Sequence, residues 1–243
     1  MKQIAQYGLW ASPITPEWLT HSQKKFGQIV LDGTSVYWDE SRPHEKGRSV
    51  VMERTADGVL KEHTPEEMSC RTRVHEYGGI GFTVSEGKVY FVNDKDQRVY
   101  LKKEPLTEAG MKAADFHVVD SYLIGVGEKG HDNFLFSLHL PTKKFNKIAI
   151  GHDFYSSPTI SPDGKQIAYL TWDHPNMPWD GTELWVADLY EGKISNPKKM
   201  AGSSNESIFQ PAWSPKGILH FVSDRTGWWN LYKLEDDKLQ SLH

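Results

Sequence analysis

Cysteine is almost absent from this chain of 243 residues, which contains only Cys70. A single cysteine excludes an intrachain disulfide framework and a zinc site built on several cysteines. No segment approaches the ~18 consecutive apolar residues that a membrane-spanning helix needs, and the first eight residues lack the apolar run of a signal peptide. We therefore expect a cytoplasmic protein that does not bind membranes.

A strong charge of one sign is also absent, because the formal net charge is only −4. A chain without a basic field has little to hold a phosphate backbone, so nucleic acid is not expected as a partner. The 20 glycines and 13 prolines are close to average usage, which excludes a low-complexity chain. Aromatic residues make up 12% of the sequence, a content that favours half-buried β-strands.

Recognisable catalytic motifs are missing as well. The nucleophile elbow of a serine hydrolase requires Gly-x-Ser-x-Gly, and the nearest segment, 47–51, lacks the second glycine. Neither a glycine-rich phosphate loop, nor a His-Glu-x-x-His helix, nor an EF-hand loop occurs. From the residues alone we predict no catalytic residue, no metal site and no cofactor in this chain.

What the sequence does contain is an internal repeat. The segments 157–170 and 210–222 each place a Ser-Pro-x-Gly turn between short apolar runs, and the turns begin at Ser161 and Ser214, 53 residues apart. Each copy is followed by a further strand-like run, at 183–189 and 230–234. A fixed period of roughly 40–50 residues built from strand-length runs indicates a propeller or another stacked array.

Five blocks share this layout, so we predict an all-β protein with about five four-stranded propeller blades. An entry segment at 1–26 precedes them, with one short helix that Thr15 would cap and Pro16 would begin. A β-sandwich is the rival fold, although its strands would recur every ~8–12 residues without the longer period. The predicted blades are 27–70, 71–110, 111–151, 152–204 and 205–243.

Three polar loops and one linker could carry a site. Loop 71–79 has two arginines, a histidine and a glutamate before paired glycines, and could either bind an anion or a peptide terminus or clamp one blade to the next. Loop 171–181 could rim a ligand cleft, or its tryptophans could pack on the blade. Loop 223–232 is better interpreted as a structural corner, and 151–158 as a linker between blades.

Several of these segments resemble a known family. Segments 71–79, 152–158 and 172–185 resemble bacterial prolyl oligopeptidase (S9) family peptidases of the dipeptidyl aminopeptidase or acylaminoacyl-peptidase type, and the similarity extends over almost the whole chain. Segments 161–164 and 223–227 also resemble TolB-type propeller repeats. The resemblance implies an N-terminal propeller, usually of seven blades, that caps a C-terminal α/β-hydrolase domain with a Ser-Asp-His triad, admits short peptides and screens out folded proteins.

The chain departs from that pattern because it has about five blades and lacks the α/β-hydrolase domain. We therefore expect a fragment or a truncated homologue that is inactive alone, and no triad residue can be assigned in it. Two open blade faces would expose apolar surface and strand edges. The isolated chain would then close as a smaller ring, self-associate through these edges or be poorly soluble.

The function that the resemblance implies is the non-catalytic, substrate-gating propeller region of an S9-type serine peptidase acting on short peptides. An acid near the channel, for which Glu76 is the candidate, would hold the α-ammonium group of a peptide. The alternative is a TolB-like scaffold that binds a protein partner without catalysis. The residues expected to bind substrate or to face the other domain are Arg73, His75, Glu76, Tyr77, Trp172, Asp173 and His174.

Overall fold

The computed structural model describes residues 4–9, 11–16, 24–235 and 238–242. In this part of the chain, twenty strands form five four-stranded antiparallel sheets, and one short 3-10 turn covers Pro43–Glu45. The result confirms the predicted all-β propeller of about five blades and excludes the β-sandwich. The helix expected after Pro16 lies at residues outside the described ranges.

The first three blades follow one another along the chain. Blade one contains β1 (Lys25–Asp32), β2 (Ser35–Arg42), β3 (Arg48–Arg54) and β4 (Leu60–Glu62). Blade two contains β5 (Phe82–Ser85), β6 (Lys88–Val92), β7 (Val99–Leu101) and β8 (Glu104–Pro105). Blade three contains β9 (Lys112–Val119), β10 (Tyr122–Lys129), β11 (Asp132–His139) and β12 (Lys144–Ala149).

The last two blades contain the sequence repeat. Blade four contains β13 (Phe154–Ile160), β14 (Gln166–Trp172), β15 (Glu183–Tyr190) and β16 (Lys193–Gly202). Blade five contains β17 (Ile208–Trp213), β18 (Leu219–Ser223), β19 (Asn230–Glu235) and β20 (Lys238–Ser241). Both Ser-Pro-x-Gly turns join the first two strands of their blades, and in each the glycine N–H donates to the serine carbonyl at 2.9 Å.

The first strand of each blade is the innermost, since β1, β5, β9, β13 and β17 contact one another in succession. Four buried apolar clusters lie between successive blades, because alternate strand residues point to opposite faces of a sheet. Each cluster contains a fully buried aromatic residue: Phe91 between blades one and two, Phe136 between two and three, Tyr155 between three and four, and Phe221 between four and five.

Among the described residues, no such cluster joins blade five to blade one. The face of blade one that points away from blade two exposes Ile29 and Leu31. The face of blade five that points away from blade four exposes Phe209 and Leu231. Exposed apolar residues of this kind mark surfaces that another element can cover. No helix in the described ranges is long and apolar enough to cross a membrane.

Inner strands carry β-bulges at equivalent places. In β9 the pair Asp115–Phe116 opposes the single residue Gly125, and the same two-to-one pattern occurs at 157–158 in β13 and 210–211 in β17. Asp115, Ser157 and Gln210 adopt left-handed φ angles of 50°, 52° and 53°. A bulge re-aims the side chain at the extra residue, and here it turns these residues toward the centre of the propeller.

Candidate functional site

A cavity of about 980 Å³ lies at the centre, lined by residues of all five blades or the loops that enter them. The bulged residues Asp115, Ser157 and Gln210 line it, together with Gln28 of β1. Because the blades surround one axis, each inner strand presents one segment to this space. The cavity is therefore the central channel of the propeller.

Aromatic side chains form much of the channel wall. Tyr77, Trp179 and Trp229 line the cavity with more than half of their surface exposed, whereas Trp172 is only 4% exposed. The Trp172 ring stacks on Phe154 with centroids 5.2 Å apart and an interplanar angle of 10°. A pocket with aromatic walls and few polar groups is typical of small-ligand sites.

The structure divides the seven residues singled out from the sequence into two groups. His75, Tyr77 and Trp172 line the channel. The remaining four lie outside the lining, on the same propeller face, in the loop that enters β5 or the loop that follows β14. They are Arg73, Glu76, Asp173 and His174.

Loop 71–79 forms a polar clamp between blades two and three. Arg73 pairs with Asp94, at 2.8 Å between Nη2 and Oδ1. Lys112 Nζ lies 2.6 Å from Glu76 Oε1 and 2.6 Å from Glu128 Oε1, so it bridges the loop to blade three. Burial alone would lower the pKa of Lys112, but the hydrogen bonds to the two glutamates raise it. The Glu76 charge is thus already paired with a cation.

His75 connects this clamp to the aromatic wall. Its backbone N–H donates to Glu128 Oε2 at 2.6 Å, and its ring meets Phe154 and Trp172 edge-on, with centroids 5.3 Å and 5.4 Å away. Burial lowers the pKa of the imidazole, although the negative charges of Glu128 and Asp115 act in the opposite direction. Nε2 is buried without a hydrogen-bond partner. His75 is therefore a neutral part of the wall at pH 7.

Asp115 is the channel carboxylate that sequence reasoning missed. Its Oδ1 accepts a hydrogen bond from Ile80 N–H at 2.7 Å, and its Oδ2 accepts one from Ser157 N–H at 3.0 Å. A Cβ on Gly79 would lie 2.8 Å from Oδ1, so only glycine leaves room for this approach. The sequence does show an acidic residue within a predicted inner strand, which could have indicated a channel residue. Whether its side chain points into the channel depends on the bulge, which the sequence does not reveal.

A second, smaller cavity of about 290 Å³ adjoins the channel. It shares Tyr77, Gly78 and Gly79 with the channel lining and adds Asp39 and Arg71. Burial raises the pKa of Asp39, whose Oδ1 accepts the Gln28 N–H at 2.6 Å. The two cavities together extend across the face that carries loop 71–79.

Two histidine–aspartate pairs hold loop 173–182 against the start of blade four. His152 Nδ1 lies 2.8 Å from Asp173 Oδ2, and His174 Nδ1 lies 2.8 Å from Asp153 Oδ2. Asp173 also accepts the Asp153 N–H, and Asp153 accepts the His174 N–H. In the described part of the chain, no group of three or more His, Cys, Asp or Glu side chains is arranged to hold a metal ion. The pairs serve to fasten the loop that carries Trp179.

This fastening predicts a pH-dependent stability. The backbone N–H and then the side chain of His174 lower the pKa of Asp153. Because the folded state favours the charged carboxylate, its stabilising effect is present at neutral pH and is lost as the pH falls below about 4. We expect Asp153→Asn to lower the free energy of unfolding by less than about 1 kcal/mol at pH 7 and to have a smaller effect at pH 3. Urea unfolding at both pH values would measure this.

Asp132→Asn is a suitable control for that measurement. Asp132 pairs with Lys147 at 3.3 Å on the exposed start of β11 and touches neither histidine. A surface pair of this kind contributes little, so its replacement should leave the unfolding curve nearly unchanged. An Asp153→Asn effect as large at pH 3 as at pH 7 would contradict the assigned role of the carboxylate charge.

The channel and its clamp can be compared with known proteins. No family model and no curated protein sequence matches the chain. The solved structure of a puromycin hydrolase is 30% identical with a TM-score of 0.87, over 98% of this chain and 42% of that one. A puromycin-hydrolyzing peptidase of Mycobacterium tuberculosis is 29% identical with a TM-score of 0.87, over 100% of this chain and 42% of that one. Over nearly its whole length the chain resembles the propeller part of prolyl oligopeptidase (S9) family peptidases.

The chain matches the propeller part of these two structures and spans 42% of their length. The resemblance inferred from segments 71–79, 152–158 and 172–185 is thereby confirmed. A TolB from Agrobacterium tumefaciens is 14% identical, with a TM-score of 0.58 over 90% of this chain and 81% of that one. At that identity the likeness concerns the fold alone.

Proposed function

We propose that this propeller is the non-catalytic, substrate-gating part of a longer S9-type serine peptidase that acts on short peptides or comparable aminoacyl compounds. The observation that carries the proposal is the likeness to puromycin-hydrolysing enzymes over nearly the whole chain. The peptidase activity itself would reside outside the chain, since its sequence contains no nucleophile elbow.

The size of the channel supports gating. Its volume of about 980 Å³ lies at the upper end of the ~300–1,000 Å³ that small-ligand pockets occupy. A folded domain of about 100 residues has a radius of gyration near 13 Å and is far too large to enter. A short peptide would therefore pass along the channel wall, while folded proteins would be excluded.

The two groups of candidate residues take different roles in this proposal. His75, Tyr77 and Trp172 contact the peptide because they line the channel. The four residues outside the lining, Arg73, Glu76, Asp173 and His174, shape the face on which another domain docks. The ion pairs of this second group would keep the loops of that face in position.

Narrowing the channel tests the gating role in the longer protein that carries this chain. Ser156 lines the cavity with an extended backbone, so Ser156→Trp would place a large ring in the path of a peptide. We expect kcat/KM for tripeptide substrates to fall at least about 10-fold, equivalent to about 1.4 kcal/mol of transition-state free energy. Circular dichroism would verify that the blades remain folded.

Tyr190→Trp provides the matched control, because Tyr190 is exposed at the end of β15 outside the channel. It should leave kcat/KM unchanged. Equal kinetics for Ser156→Trp and wild type would show that substrates reach the catalytic centre by another route, and the gating role would be rejected.

The second candidate is a TolB-like scaffold that binds a protein partner. The exposed pair Trp228 and Trp229, next to the channel mouth, favours this candidate, since exposed tryptophans are frequent at protein interfaces. The two candidate functions can be distinguished by measuring peptidase activity in the longer protein that carries this chain. Peptidase activity that responds to Ser156→Trp supports gating, whereas a protein without peptidase activity supports the scaffold.

A further inference from the structure

Asp39 of β2 occupies a position that the other bulged blades give to apolar or small residues. It opposes the two bulged residues 27–28 of β1. The residues that oppose the equivalent bulges are Gly125, Tyr169 and Phe221. Tyr169 and Phe221 belong to the buried apolar clusters between blades. A carboxylate at such a position breaks the repeat, and departures of this kind are expected at functional or strained sites.

The space beside Asp39 is a cavity instead of packed core. Its volume is about 290 Å³, and it is lined by β2, β3 and the loop that enters blade two. Asp39 Oδ1 accepts the Gln28 N–H at 2.6 Å, and among the described residues no lysine, arginine or histidine forms an ion pair with this carboxylate. Burying a carboxylate without enough hydrogen-bond donors costs free energy. A ligand that donates to Asp39 would therefore be stabilised here.

The lining of this cavity is polar and its charges cancel. Asp39 accepts hydrogen bonds, Arg71 donates them, and the hydroxyls of Ser41 and Ser49 do both. Arg71 is exposed at the rim, and in the described ranges its guanidinium forms no ion pair. A ligand with a single charge would leave Asp39 or Arg71 unmatched. A neutral ligand with several hydroxyl groups matches all four side chains.

A zwitterion would also match the two charges, but it is the less favourable ligand. It would bring two further charges into a partly buried space, and removing charges from water is costly. Hydroxyl groups donate to a carboxylate without that cost. The charge balance of the cavity therefore favours a neutral polyhydroxyl compound.

The size of the cavity and one aromatic ring narrow the ligand to a small sugar. About 290 Å³ is at the lower limit of the ~300–1,000 Å³ that small-ligand pockets occupy, so a single ring fits better than a peptide. Tyr77 lines the cavity with 63% of its surface exposed, and its ring offers an apolar face to the C–H side of a sugar. An acidic residue binds ribose hydroxyls in the same way in dinucleotide-binding folds.

We propose that the cavity beside Asp39 is a binding site for a small sugar with two adjacent hydroxyls on one side of its ring, as in a ribofuranoside. The two hydroxyls donate to the Asp39 carboxylate, and Arg71 donates to the remaining sugar oxygens. Free sugars and nucleosides share this chemistry. The site is separate from the passage of peptides through the channel, so it does not rest on the gating role.

Two methyl glycosides test the proposal on this chain. Methyl β-D-ribofuranoside has the adjacent hydroxyl pair, and methyl 2-deoxy-β-D-ribofuranoside lacks one member of it. We expect the first to bind at least about 10-fold more tightly at pH 7, because a hydrogen bond to a charged acceptor is lost in the second. Titration followed by ligand NMR signals would measure both affinities.

Variants locate the hydroxyl pair. Asp39→Asn keeps an oxygen that can accept the Gln28 N–H, and it should reduce the preference between the two glycosides to about 3-fold or less. Arg71→Gln should weaken both glycosides alike, since it does not contact the pair. Asp132→Asn, an exposed acid of blade three, should retain the full preference. Circular dichroism would verify that each variant is folded.

Adenosine distinguishes the two sources of the sugar. A nucleoside site would bind adenosine more tightly than the methyl glycoside, because the base can stack on Tyr77, whereas a site for free sugars would not. Either result supports a sugar site.

Equal affinities of wild type for the two glycosides, or no binding of either, would overturn the proposal and leave the gating role untouched. A preference that survives Asp39→Asn would also overturn it, because another group would then hold the hydroxyls. Glycine serves as the zwitterionic probe, and tighter binding of glycine than of the ribofuranoside would likewise reject a sugar site.

Discussion

Replacing Trp172 with alanine is expected to lower the free energy of unfolding by about 3–5 kcal/mol, the largest side-chain effect on the channel wall. Trp172 is 4% exposed, stacks on Phe154 and meets His75 edge-on. Its removal takes away buried apolar area and leaves a cavity that the stacked rings cannot fill. Urea unfolding followed by circular dichroism would give the difference.

Trp228→Ala is the matched control for this substitution. Trp228 is 80% exposed, so its removal should change the free energy of unfolding by no more than about 0.5 kcal/mol. Similar losses for the two tryptophans would indicate that Trp172 does not hold the wall together. In that case the interpretation that the packed aromatic wall stabilises the fold would be wrong.

Gly202→Ala should destabilise the protein by roughly 3 kcal/mol or more, because backbone must move to admit the methyl group. Gly202 ends β16 with a φ of 92°, and a Cβ there would lie 2.0 Å from the carbonyl oxygen of Thr182. Thr182 follows the loop that carries Trp179, so the displacement would also disturb the channel mouth. Thermal and urea unfolding would both report the loss.

Gly217→Ala separates the steric effect from the conformational one. Gly217 also has a left-handed φ, 76°, but a Cβ there would meet nothing within 4 Å. Its replacement should therefore cost only about 1 kcal/mol, the usual preference for glycine in this conformation. If both alanine variants lost the same amount, the contact with Thr182 would not be the reason for glycine at position 202.

The repeat and the blades could be predicted because their causes are local. Apolar runs with a period of two predict strands, and the turns at 161–164 and 214–217 need only their own residues to close. The same locality explains why the family could be recognised from loops 71–79 and 172–185. Their unusual residue combinations are visible without knowledge of the contacts that they make.

The candidate site was foreseen only in part. His75, Tyr77 and Trp172 were singled out from the sequence, and they line the channel. Arg73 and Glu76 stood in the same loop, yet their partners, Asp94 and Lys112, lie 21 and 36 residues away along the chain. A local pattern does not reveal such pairings, so it could not show which of these residues face the channel.

Asp115 illustrates the difference between what can be inferred from the sequence of this protein and what only its tertiary structure shows. The sequence by itself determined an all-β repeat and a resemblance to S9-type propellers, since periodicity, turns and loop motifs are properties of short segments. Tertiary structure decided which side chains meet at the axis, because a β-bulge aims Asp115 and N–H groups from two other segments fix it. The channel charge arises from register and long-range contacts, neither of which any single segment contains.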